Sequence, residues 1–119
     1  MRYVDGFVVV VPEQNLKQYK SISQKAGKLW KEFGALEYVE AVGDDLKAEF
    51  CLPFPKLTKA KEGETVVFSF IVYNSRKDRD RINKLVMQDP RMQKIMTKDQ
   101  CPFDVKKMAM GGFKAFVDM

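Results

Sequence analysis

The amino-acid sequence predicts an α+β protein in which four strands build one antiparallel sheet and two long helices cover a single face of it. Three observations carry that expectation. Strand-type and helix-type patterns alternate along the chain as β-α-β, an irregular stretch, then β-α-(α)-β. The first and third strands are apolar on both sides, so each face of the sheet needs cover. With 119 residues, 45% hydrophobic and 31% charged, the chain is long enough for one domain over 1–119 and too apolar for wholesale disorder.

Residues Tyr3 to Val11 (YVDGFVVVV) are β-branched or aromatic almost throughout and stop at Pro12, the mark of a strand buried on both faces. Asn15, with Gln18 three residues later, reads as a capping box opening a helix. Leu16, Tyr19, Ile22, Ala26, Leu29, Trp30 and Phe33 then recur at helical spacing, with lysines filling the other face and Gly34 as the stop. Gly27 costs about 1 kcal/mol relative to alanine inside a helix, which points to close approach of this helix to the sheet. Ala35 to Val42 (ALEYVEAV) alternates as a half-buried strand, placing Glu37 on the face opposite Tyr38 and Glu40, and Gly43-Asp44-Asp45 forms a turn. From 44 to 63 no periodicity holds, and Pro53 and Pro55 argue against a regular element. Phe50, Cys51, Leu52 and Phe54 make this loop more apolar than a linker. It reads either as a functional lid or partner-contacting arm, or as an arm that simply packs on its own or a neighbouring subunit.

Glu64 to Tyr73 (ETVVFSFIVY) is the strongest strand signal, with Val66, Phe68, Phe70 and Val72 on one face and Val67, Ser69, Ile71 and Tyr73 on the other. Ser75 with Asp78 forms a second capping box, for a helix that turns Ile82, Leu85, Val86 and Met87 inward. Asp89-Pro90 ends that helix and opens a short one with Met92, Ile95 and Met96 facing inward. A polar connection over 97–104 leads to a last strand over Val105 to Val117, with Gly111-Gly112 as a bulge. The βαββαβ order is that of the ferredoxin-like sandwich. Because apolar side chains leave the sheet in both directions, a homodimer in which two sheets meet face to face, a dimeric α/β barrel, completes the core.

Composition narrows the chemistry. The chain has no histidine, which excludes intrachain Ser-His-Asp and Cys-His catalysis, His-ligated haem and C₂H₂ zinc fingers. No cofactor and no metal site is expected, since two cysteines cannot build a four-thiolate site. The net charge of +5 is modest, and its densest run, Arg76-Lys77-Asp78-Arg79-Asp80-Arg81, is interleaved with acids. That interleaving argues against nucleic-acid binding, which is kept as a third reading. No stretch approaches the ~20 apolar residues of a membrane span, and the start lacks the order of a signal peptide. A cytoplasmic protein with Cys51 and Cys101 as reduced thiols is therefore expected.

Several segments together resemble one family: Tyr3-Val4-Asp5-Gly6-Phe7, Gly34-Ala35-Leu36-Glu37-Tyr38, Gly43-Asp44-Asp45 and Glu64-Thr65-Val66-Val67-Phe68-Ser69. To these are added Tyr73 with Ser75-Arg76, Arg79-Asp80, Asp89-Pro90-Arg91, Pro102-Phe103-Asp104 and Gly111-Gly112-Phe113. The combination is similar to the YbaA-like family of small bacterial proteins and runs through nearly the whole chain. The resemblance implies the dimeric α/β-barrel superfamily, whose branches include cofactor-free monooxygenases, haem enzymes and simple ligand binders. It brings fold and no specific activity.

Four residues are the catalytic candidates: Asp5, Glu37, Tyr38 and Arg76. Asp5 interrupts an apolar strand, and isolated burial of a carboxylate is costly. It reads either as an ion pair to an arginine of the second long helix or as a ligand contact. Glu37 and Glu40 flank Tyr38; an acid facing the interior would become a general base as burial raises its pKa, whereas the plain alternative is a solvent-facing strand position. Arg76, Arg79 and Arg81 suit anion recognition, with Asp78 and Asp80 near enough to neutralise some of them. Cys51 and Cys101 read as passive thiols, the clustered methionines as core or as a pliable pocket wall, and Trp30 and Tyr19 as helix-to-sheet packing. The expected function is a homodimer that binds a small organic molecule in a sheet–helix cavity. Any catalysis there is cofactor-free. A non-enzymatic structural or interaction module, with its interior filled by side chains, is the alternative.

Overall fold

The computed structural model describes residues 1–97 and 101–119. Its strands are β1 (Tyr3–Pro12), β2 (Glu37–Val42), β3 (Glu64–Tyr73) and β4 (Met108–Lys114), and its helices α1 (Leu16–Glu32), α2 (Phe54–Thr58), α3 (Arg76–Gln88) and α4 (Pro90–Ile95). They form one sheet of order β2-β3-β1-β4 with every neighbouring pair antiparallel. The first strand–helix–strand unit thus brackets β3, which is the ferredoxin-like sandwich the element order predicts.

Strand register decides which residues meet. Asp5 lies opposite Ile71, Val9 opposite Val67, Tyr38 opposite Ile71 and Glu40 opposite Ser69, so all seven share one face. Helices α1, α3 and α4 cover that face. Ala26 and Leu29 from α1, Ile82 and Val86 from α3, and Met92 from α4 close over Ile71 and Tyr73. Gly27 has the close approach expected of it: a Cβ there would stand 2.7 Å from the Tyr38 ring. At the far end of α1, Gly34 ends the helix with a φ of 117°, a left-handed conformation that glycine adopts without strain.

The other face carries Val4, Val8, Val39, Phe68, Phe70 and Phe113, with Phe68 45% and Phe113 62% exposed. Among the described residues only one end of it is covered. There α2 packs across β1 and β3, Phe54 meets Phe68 edge-on at 6.2 Å, and Val10 and Val66 are buried.

Several expectations need correction. Asn15 does not cap α1 through its side chain; its amide donates instead to the Pro102 carbonyl at 3.0 Å, tying the start of the helix to the connection before β4. The 44–63 stretch does contain a helix, because Pro53 precedes it and Pro55 occupies its first turn, where a missing N–H costs nothing. Gly111 and Gly112 form no bulge, since the β1–β4 register runs unbroken through Gly6 and Asp5. A side chain at Gly112 would instead collide with the Tyr3 ring, 2.8 Å away. The last strand starts at Met108, after a single 3₁₀ turn over Val105–Lys107. Leu85, Met87 and Met96 are exposed rather than core, at 37%, 50% and 62%. Ser75 and Asp89 cap α3 and α4 as their sequence context predicts. Part of the 97–104 connection lies outside the described residues.

Candidate functional site

Between the helix-covered face and α1, α3 and α4 lies a cavity of about 350 Å³, walled largely by apolar side chains such as Phe7, Val9, Ala26, Ile71 and Met92. Two polar clusters project into it from the sheet.

The first is centred on Asp5, only 2% exposed. Its Oδ1 takes a hydrogen bond from Arg79 Nη1 at 3.2 Å, and its Oδ2 takes one from the Tyr73 hydroxyl at 3.1 Å and a long one from Asn83 Nδ2 at 3.5 Å. Trp30 Nε1 donates to Asn83 Oδ1 at 3.0 Å, so α1, α3, β1 and β3 are tied together at one point. Arg79 also stands over the Tyr3 ring, 4.9 Å from its centroid. Its Nε lies 2.9 Å from Asp80 Oδ1, without the alignment of a hydrogen bond. Burial, followed by the Asp5 charge, pushes the Tyr73 phenol well above its ordinary range.

The second cluster is centred on Glu40. Tyr19 Oη donates to Oε1 at 2.7 Å and Tyr38 Oη to Oε2 at 2.9 Å, so each carboxylate oxygen holds one phenol. The Ser23 hydroxyl adjoins both phenols and that of Ser69 adjoins Tyr19. Burial first, and the Glu40 charge second, raise both phenols far above the usual value, which keeps them protonated donors. Tyr19, Ser23, Tyr38 and Glu40 also line a second, more open space of about 730 Å³ between α1 and the β2 edge of the sheet. The Glu40 cluster is therefore a partition with a cavity on either side.

Of the four sequence candidates, Asp5 and Tyr38 reach the cavity, whereas Glu37 and Arg76 do not. Glu37 is exposed on the opposite face, 3.7 Å from Arg2, because β2 alternation groups it with Val39. Arg76 is exposed at the start of α3, and Arg79, one turn on, is the cation that turns inward. Glu40 shares the Tyr38 face by the same alternation that removes Glu37. Tyr19, Tyr73 and Asn83 carried no sequence signal of function, since two sit in apolar patterns and the third looks like a surface amide. Cys51 is exposed on the arm, and Cys101, also exposed, lies at the cavity mouth and donates to the Phe103 carbonyl at 3.1 Å. Among the described residues no three Cys, Asp or Glu side chains gather closely enough to hold a metal ion. None of the described helices is long and apolar enough to cross a membrane.

A family model described as "Protein of unknown function (DUF1428)" matches residues 2–105. The chain belongs to that family. Its relatives include "Uncharacterized protein YbaA" of Escherichia coli (strain K12), 44% identical over 118 residues that cover 99% of each chain, and the Shigella flexneri protein of the same name at the same identity. This bears out the YbaA-like resemblance. Among solved structures, SnoaB, a cofactor-independent oxygenase from Streptomyces nogalater, superposes with a TM-score of 0.62 at 11% identity, covering 99% of this chain and 96% of that one. A dimeric ferredoxin-like protein from an uncultured marine organism gives 0.53 at 11% identity, covering 100% and 98%. At such identities the likeness establishes the ferredoxin-like fold of this DUF1428 protein and nothing of its chemistry.

Proposed function

We propose that this DUF1428 chain, folded as one domain over 1–119, works as a homodimer and binds a small, largely apolar molecule bearing a hydroxyl or carbonyl group in its sheet–helix cavity. The observation that carries the reading is an apolar space of about 350 Å³ bounded on its sheet side by the Tyr19–Glu40–Tyr38 cluster. That volume suits a small ligand, and a few convergent polar groups on apolar walls are what orient one. A ligand oxygen entering here competes with Glu40 for a phenol proton. Once a phenol turns to the ligand, one Glu40 oxygen is free to accept the ligand's own O–H. Any proton transfer in the cavity would then run on Glu40 as base and the two phenols as donors, without a cofactor. Asp5, fully engaged by Arg79 and Tyr73, holds Asn83 and Trp30 in place at the opposite wall.

The open sheet face supports the homodimer. Exposed Phe68 and Phe113 stand among apolar neighbours, and a twin sheet of identical chemistry would cover them. Two solved structures of the same fold add support: one is described as dimeric, and the other is a cofactor-independent oxygenase. The structural-module alternative predicts a filled interior, which the cavity volume disfavours. Nucleic-acid binding is weakened by Arg79 turning inward and Arg81 clasping Asp78 at 3.0 Å.

Trp30, the chain's one tryptophan, borders the cavity and so reports on its occupancy. Titration with naphthol and monocyclic phenols should give saturable quenching, weakened about tenfold in Glu40→Gln. A folded protein whose fluorescence answers to none of them would overturn the reading.

A further inference from the structure

The space of about 730 Å³ on the outer side of the Glu40 partition differs in character from the inner cavity. Its floor is apolar, with Leu16, Val42 and the Tyr38 ring beside the buried Val67 and Gly27. Its helix side presents Lys20, Gln24, Lys28 and Lys31, one stripe of α1 at spacings of four, four and three. Lys31 donates to the Leu36 carbonyl at 2.8 Å and so is anchored at the edge of the groove. Lys20 and Lys28 have no ion-pair or hydrogen-bond partner among the described residues, whereas Arg2, Arg79, Arg81, Arg91 and Lys107 all do. Among the described residues the one acid in the lining is Glu40, and both its oxygens face phenols.

From this arrangement we infer that the outer groove is a second binding site, for an organic anion with an apolar body: an acyl or aryl carboxylate whose charge lies between Lys20 and Lys28. Three cations against one acid give the groove a net positive lining, and low-dielectric walls focus such a field. Lys20 and Lys28 are set about 12 Å apart along the helix, at a rise of ~1.5 Å per residue, so a carboxylate between them is within reach of either flexible stem. The apolar floor then takes the ligand's body. A bare inorganic anion would leave that floor wet, and a neutral chain would leave the lysines unanswered. The site shares the Glu40 partition with the inner cavity, but its lysines and apolar floor do not depend on a ligand being bound there.

Isothermal titration of the full chain with decanoate, decanol and decylammonium separates these cases. Decanoate should bind, decanol should bind at least about tenfold more weakly, and decylammonium more weakly still. The preference should shrink in about 1 M salt, where the screening length falls to about 3 Å. In the surface variant Lys20→Glu/Lys28→Glu the order of decanoate and decylammonium should invert, while naphthol quenching of Trp30 is retained. Equal binding of the three probes, absence of decanoate binding, or an unchanged order in the double variant would each overturn the inference. Naphthol quenching decides the inner-cavity reading separately, so either can fail while the other stands.

Discussion

Replacing Arg79 by methionine tests whether the Asp5 cluster is what locks the sandwich together. Asp5 is 2% exposed and the Arg79 side chain 19%, so the pair is nearly out of water. Deleting one partner of a buried pair costs about 3–5 kcal/mol, chiefly through the charge left behind. Here Tyr73 still donates at 3.1 Å and Asn83 weakly at 3.5 Å, which places the loss near the lower end. Loss of the guanidinium over the Tyr3 ring adds about 0.5–1 kcal/mol. The expected cost is about 3.5–4 kcal/mol, or roughly 15 °C in Tm for a domain of this size. Asp5→Asn keeps the shape and leaves Arg79 beside Asp80, so about 1–2 kcal/mol is expected. The double variant should then cost less than the two singles added, by about 1–2 kcal/mol. Urea unfolding at fixed protomer concentration, read from Trp30 fluorescence, measures all four proteins. An Arg79→Met cost below about 1 kcal/mol, or strict additivity in the cycle, would refute the reasoning.

Gly27→Val places methyl groups where the Tyr38 ring already lies 2.7 Å from a Cβ, so a loss of about 1–3 kcal/mol is expected, with displacement of Tyr38 from Glu40 and weaker ligand quenching. Unchanged thermal unfolding and unchanged quenching would refute it. Tyr19, Tyr38 and Tyr73 all have raised pKa values, so the folded chain keeps protons that the unfolded chain releases near 10.0. Their contribution to stability is complete below that pH and is lost as pH climbs above it; absorbance titration of phenolate should show three late-ionising tyrosines, appearing together with unfolding. Phe68→Lys/Phe113→Lys puts charges on the open face, and sedimentation should show the dimer replaced by monomer at micromolar concentration, while the wild type sediments as a dimer.

The fold was legible because each long element carries a complete local signal. The β3 bounds, both of its faces and the Ser75 cap of α3 follow from alternation and capping chemistry alone. What failed were inferences from one residue type without its partner. Asn15 looks like a cap, yet its amide is claimed by the Pro102 carbonyl 87 positions away. Gly111-Gly112 looks like a bulge, yet the glycine is needed because Tyr3 leans across from the neighbouring strand. Neither claim is visible in sequence, since each comes from a partner supplied by tertiary packing.

The same distinction separates the two polar clusters. Asp5 announces itself as a charge inside an apolar strand, and the structure shows why that charge is tolerated: a cation, a phenol and an amide converge on it. Such a closed set makes Asp5 a component of the fold, and its removal is read in stability. Glu40 gives the weaker sequence signal, one acid of two beside a tyrosine, yet its partners are phenols that can turn away and its position is shared by two cavities. A group whose partners are neutral, displaceable and open to a ligand on either side is placed to exchange them. Substitution at Glu40 should therefore be read first in ligand binding and only weakly in unfolding, the reverse of Arg79, and that inversion distinguishes a residue kept for architecture from one kept for chemistry.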